Sequence, residues 1–408
     1  MKKILYSLSL SLMALCSVTF TSCDDDDFTA SIFDTDPSID YLDKTSYTFP
    51  LDTFVKKEFL EPYNLRYVYR MEDIGSDLQK NLVPAGYEQS CKLAVLSKYL
   101  WFDVYKDQGG KDFLSECSPR IIHIIGSPSY NPSSGTETLG TAEGGLKVTL
   151  YNANALDENN IALLNKYFFH VMHHEFGHIL DQTHLRPNAF NVISNGRYDP
   201  QNWGTTFDSI SATRGFVTPY ASSQSADDWV ETLSSYVCDD SLQWDRLMKA
   251  AAIDWEEVKG TSNTPDSVRR LIENGAHRDS VGYVRTLSNG DIVTDRKVIA
   301  RNADGTAALD ENGQIVFLSQ DNIDGAAVIR QKVQMVREWL KTYFNIDLDS
   351  LRKEIQERSY VTDSNGYFVR DAQGNLINAL TYPAAEDPSK TRMQVLMEEI
   401  DKYKALQQ

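Results

Sequence analysis

The stretch His170-Val-Met-His-His174-Glu175-Phe-Gly-His178-Ile-Leu-Asp-Gln-Thr-His184 limits this chain more than any other part of it. It contains H-E-x-x-H. On an α-helix four residues advance by roughly 400°, so His174 and His178 stand on one face, one turn apart, where two imidazoles can share a Zn²⁺. Glu175 lies beside them on the same side, placed to take a proton from water activated by that ion and to pass it on to a leaving amine. With seven His in 408 residues, the motif would arise by chance in roughly one chain in a hundred of this composition. The surrounding sequence supplies the helix that the chemistry needs. Asp157 can cap, Glu158 suits a first turn, and Ile161, Leu164, Phe168, Val171, Met172 and Ile179 recur at three- and four-residue spacing, which predicts a buried amphipathic helix from Asp157 to about Leu180. His170 and His173 lack an acid in the general-base position and read as core residues or as supports for the ligands.

The first 22 residues stand apart. Lys2 and Lys3 precede a mostly apolar run from Ile4 to Phe20, and Thr21-Ser22-Cys23 follows, the pattern of a bacterial lipoprotein signal with Cys23 as the lipidated residue. The expectation is a protein tethered to the membrane through that lipid, because no later segment reaches the roughly 18 apolar residues of a spanning helix. Asp24 to Asp27 follow at once, and residues 23–50 read as an acidic flexible linker. The net charge of −18 and the lack of a basic cluster argue against nucleic acid as a partner. Beyond the lipid site Cys91, Cys117 and Cys238 remain, so at most one disulfide can form and the fold must rest on its core.

Along residues 51–281 the pattern predicts a strand over Asn64 to Arg70, a helix from Tyr87 to Tyr105, a buried strand Arg120 to Ile125, a loop from Ser127 to Gly145, a strand Leu146 to Tyr151 and then the motif helix. Residues 187–215 read as loop with Trp203 and Phe207 as anchors, and a second helix opens near Ser225 with Asp227, Asp228 and Glu231. The two aspartates read as a solvated helix start. Asn289-Gly290, Asp304-Gly305 and Asn312-Gly313 mark a hairpin-rich insertion over 282–320, and 321–408 is mostly helical, with Asn365-Gly366 and Gln373-Gly374 repeating the turn pattern. The fold class expected is α+β, a small mixed sheet packed on the motif helix.

A catalytic zinc takes three protein ligands and keeps one position open. His184 resembles the third histidine of the metzincin pattern H-E-x-x-H-x-x-G-x-x-H; it lies roughly 9 Å beyond His178 along a straight helix, so it reaches the ion only if the chain turns near Asp181. Glu231 is the rival, since Asp-Asp-Trp-Val-Glu resembles the acidic helix of gluzincin-like peptidases, and Tyr220 resembles the tyrosine with which some of them stabilise the oxyanion. On its fixed spacing His184 is taken as the ligand beside His174 and His178, with Glu175 and Tyr220 as catalytic residues. The signal, the acidic leader and H-E-x-x-H-x-x-x-x-x-H together resemble the Bacteroides-group zinc metallohydrolase lipoproteins associated with substrate import. That resemblance implies a zincin-like fold, an edge strand at Leu146 to Tyr151 above the cleft, a peptide or protein substrate, display at the outer membrane, and work beside a TonB-dependent importer. A binding lipoprotein that keeps an inactive zincin scaffold to capture peptide or glycan is the alternative.

Overall fold

The computed structural model describes residues 42–71, 80–130, 137–143, 146–260, 285–286, 292–317 and 323–407. The expected signal over 1–22, Cys23, its acidic run and the Asn289-Gly290 turn lie outside the described residues. Among the described residues no helix is long and apolar enough to cross a membrane.

The N-terminal strands are β1 (Arg66–Val68), β2 (Ile121–Ile124), β3 (Ser129–Tyr130), β4 (Glu137–Thr138), β5 (Gly140–Glu143) and β6 (Lys147–Leu150). Four of them make one mixed sheet in the order β1-β2-β6-β5, the first three parallel and β5 antiparallel to β6 with Thr141 opposite Thr149. The expected α+β class and small mixed sheet are therefore present. Two expectations change. The stretch from Ser127 to Gly145 carries β3, β4 and β5 rather than a plain loop, because its strands are short and polar and leave no apolar alternation to read. In consequence β6 is an inner strand and β5 takes the edge, where Gly140 lies so close to the motif helix that a Cβ would stand 2.1 Å from Val171 Cγ1.

The helix from Tyr87 runs through a π-helical turn at Lys98–Phe102 and on to Cys117, interrupted at Gly110, whose φ of 82° only glycine adopts without strain. The motif helix starts later than Asp157. Asn160 caps it, its side chain accepting from Leu163 N at 3.0 Å, while Asp157 caps the turn before. It proceeds from Ile161–Leu164 through a π-turn at Asn165–Phe169 into His170–Thr183. One side is clamped by aromatic edges, with Phe176 against Trp101 at 5.3 Å and Tyr105 at 4.9 Å. The other side meets the acidic helix Ser225–Cys238, and Gly177 allows that approach: a Cβ there would lie 2.9 Å from Val230 Cγ1.

The C-terminal helices Gly325–Phe344, Leu348–Ser359 and Arg392–Asp401 share this core, Trp339 packing edge-on to Trp229 of the acidic helix. Cys91, Cys117 and Cys238 are buried and free. A three-stranded antiparallel sheet of β7 (Trp255–Gly260), β8 (Arg285–Thr286) and β9 (Ile292–Lys297) has the order β7-β9-β8 and leads into a pair of tight hairpins. Those hairpins occur twice. Bridges Ile299↔Phe317, Arg301↔Ala307 and Leu309↔Ile315 reappear as Tyr360↔Asn378, Thr362↔Phe368 and Arg370↔Leu376. Glycines at positive φ also correspond, Gly305 and Gly313 to Gly366 and Gly374. In the second copy Tyr360 is buried and Phe368 and Leu376 pack on the core; in the first Leu309, Ile315 and Phe317 are exposed.

Lys332 is fully buried beside Asp228, Nζ to Oδ2 2.7 Å, and it also donates to Gly215 O at 2.7 Å. Burial lowers the ammonium to about 8 and raises the carboxyl to about 6, each only partly restored by its partner. Removing one member strands the other charge, so Lys332→Met is expected to cost about 3–5 kcal/mol. Adding Asp228→Asn should recover most of that loss. Urea denaturation of the single and double variants measures both.

Candidate active site

The motif helix and the acidic helix run antiparallel, and their polar residues interlock at four-residue spacing. Asp227 faces His174 and His178, and one turn along Glu231 faces His170 and His174. His174 Nε2 and His178 Nε2 are 3.2 Å apart, with Asp227 Oδ1 3.3 Å from the second and 3.9 Å from the first. Ligands at about 2.0–2.1 Å from a tetrahedral zinc stand about 3.4 Å from one another, so three such donors suit that ion. Among the described residues two groups of ligand atoms are close enough to hold a metal, His174, His178 and Asp227, and His170, His174 and Glu231.

The proton positions favour the first group. Glu231 Oε1 lies 2.6 Å from His174 Nδ1, and a carboxylate there requires the ring to donate from Nδ1, which leaves a bare lone pair on Nε2 pointing at His178 and Asp227. Glu231 Oε1 also receives His170 Nε2 at 2.9 Å, and Oε2 receives Thr218 Oγ1 at 2.6 Å. Burial opposes its ionisation, but His170 and His174 outweigh that and hold the carboxyl well below its ordinary range. Asp227 is divided in the same way. Its Oδ2 accepts from Ser223 Oγ at 2.7 Å and Gln224 Nε2 at 2.9 Å, leaving Oδ1 to the histidines.

Glu175 is buried, and that burial pushes its carboxyl above the usual value despite His174 and His178 nearby. A raised carboxyl is better matched to proton transfer near neutral pH. Tyr220 stacks on the His174 ring, centroids 5.6 Å apart at 28°. Burial and the carboxylates of Asp227, Glu231 and Glu175 drive its hydroxyl pKa upward, so it stays a donor. His173 is fully buried, its Nδ1 3.0 Å from Tyr105 Oη, and burial lowers it to about 3.

The structure does not bring His184 to this group. The helix does not turn at Asp181, whose carboxylate instead binds Arg186 N at 2.7 Å and the Arg186 guanidinium. It continues to Thr183, and the His184 ring stacks on Tyr343 at 4.7 Å and abuts Phe344 while its carbonyl accepts from Trp339 Nε1. Without a glycine at the bend, helical geometry carries His184 off the ligand face. Glu231 is present at the site, but on the Nδ1 side of His174. Asp227, expected to be solvated, is buried, and its Oδ1 lies beside the two histidines that His184 was expected to join. The signal that could have found it is the i, i+4 pair Asp227 and Glu231, which copies the spacing of His174 and His178.

Residues 44–349 match the model of a family described as "putative zinc-binding metallo-peptidase". A crystal structure titled as a putative zinc-binding metallo-peptidase from Bacteroides caccae is 32% identical, covers 76% of this chain and 91% of its own, and superposes with a TM-score of 0.51. No curated protein matches the chain.

The geometry ranks three variants. Asp227→Ala should cause the largest loss of zinc affinity, Glu231→Ala a loss of about 10- to 100-fold through the freed imidazole, and His184→Ala none. Titration against a competing chelator checks the order, and loss of zinc from His184→Ala with Asp227→Ala intact would refute it.

Proposed function

We propose, from the premise that the chain belongs to the zinc-binding metallo-peptidase family, that it is a zinc-dependent peptidase in which His174, His178 and Asp227 hold the ion. The observation that carries this reading is the convergence of three donor atoms beside a buried carboxyl, with the remaining ring nitrogen of His174 engaged by Glu231 and the remaining oxygen of Asp227 by Ser223 and Gln224. Zinc, when bound, supplies Lewis acidity, lowering the pKa of water toward 7 and drawing electrons from a carbonyl oxygen.

The chain's own residues then do the following. Glu175 accepts the proton of the attacking water and returns it to the leaving amine, a role favoured by its burial. Tyr220, protonated and beside His174, donates to the oxygen on which charge develops. An extended peptide adds to the edge of β5, which takes the place expected for Leu146 to Tyr151 because that strand is an inner one; among the described residues no further strand pairs with β5. The lipoprotein-like start, with Cys23 as the anchor, supports a place at the outer membrane facing outward, trimming peptide or protein for a TonB-dependent importer.

Glu175→Ala should keep zinc and lose about 10²- to 10⁴-fold in peptide hydrolysis. Metal analysis together with kcat/KM on a peptide library tests this. Equal activity in the two proteins would remove Glu175 from the reaction, and zinc with peptide affinity but no turnover in the parent protein would favour a binding lipoprotein instead.

A further inference from the structure

Beside Tyr220 stands a large side chain not yet given a role, Trp203. Trp203 lies in a 3₁₀ turn, Trp203–Thr205, and its ring meets Tyr220 edge-on with centroids 4.8 Å apart at 63°. The turn is fastened to the Tyr220 turn through the backbone, Asp199 N donating to Ser222 O at 2.7 Å and Trp203 N to Asp199 O at 3.3 Å. Asn202 Nδ2 secures the Asp199 side chain at 2.9 Å. Trp203, Tyr220 and His174 thus form a rigid series leading outward from the metal ligands.

The two outer rings are incompletely covered. Tyr220 is 37% exposed and Trp203 is half-buried. Gly204, the next residue, has nothing within 4 Å of where a Cβ would stand, so the turn is open on that side. A core tryptophan would be closed in, as Trp101, Trp229 and Trp339 are. A half-buried indole held against Tyr220 offers a flat apolar face whose ordering has already been met by the fold.

We propose that Trp203 is a specificity-determining residue, the wall against which the substrate side chain next to the scissile bond packs, favouring aromatic and large aliphatic side chains over small ones. This rests on the peptidase reading above. Apolar contact in a partly open site discriminates by about tenfold, the lower end of what hydrophobic pockets achieve.

The test uses the zinc-loaded protein and a defined peptide pool, with cleavage sites read by mass spectrometry. The parent protein should cut beside Phe, Tyr, Leu or Met, and the ratio of kcat/KM for Phe- over Ala-containing peptides should fall about tenfold in Trp203→Ala and be largely kept in Trp203→Phe. Zinc affinity should not move in either. If Trp203→Ala slows every peptide by one factor and keeps the cleavage profile, Trp203 only braces Tyr220 and the proposal fails. A parent protein that cuts nothing defeats the peptidase reading first. In that case indole fluorescence decides: quenching stronger with Phe- than with Ala-containing peptides, and lost in Trp203→Phe, supports the wall, while equal quenching overturns it.

Discussion

The carboxylate of Glu231, set between His170 and His174, is the interaction on which the rest depends. It joins two antiparallel helices at His170 and His174, and it fixes which nitrogen of His174 carries the proton. A buried carboxylate is costly to hold without partners, and here two imidazoles and the Thr218 hydroxyl supply them. The hydrophobic packing around it serves the same alignment. Gly177 lets the helices come close enough for the bonds to form, and Phe176 anchors the opposite side among Trp101 and Tyr105. Behind the acidic helix the Lys332–Asp228 pair secures its first turn, one residue from Asp227.

The parts of the site that could be read from sequence are those whose spacing is set by one element. His174, Glu175 and His178 lie within a single helical turn, so local periodicity was sufficient to place them on one face. Asp227, which lies close to His174 and His178, comes from a different helix, and its approach depends on the offset between two helices, which no local pattern encodes. His184 looked suitable because ten residues separate it from His174, but that spacing has meaning only with a bend, and Asp181 is committed to Arg186 instead. Asp227 looked like an ordinary helix start because a sequence does not reveal that Ser223 and Gln224 will cover one of its oxygens and two histidines the other.

The same distinction holds for the fold. Long apolar patterns announced the motif helix and the C-terminal helices, whereas β5, four residues of mixed character, is defined by pairing with β6 and by the glycine that meets Val171. Pro187 follows the end of the motif helix and serves as the N-cap of Asn188–Ile193. Residues 187–215 therefore contain short helices in place of the expected loop, and they carry Trp203 to the site.

The doubled hairpins meet different surroundings. Two copies share one pattern of bridges and turns, and the second is fastened to the core through Tyr360, Phe368 and the bond from Asn378 Nδ2 to Glu158 O at 2.7 Å. Its inward residues answer to the core around the motif helix. In the first copy Leu309, Ile315 and Phe317 are exposed, with Lys297 Nζ over the Phe317 ring at 5.1 Å. One pattern of bridges and turns thus serves twice, once as a brace against the core and once as a surface whose apolar side chains face solvent.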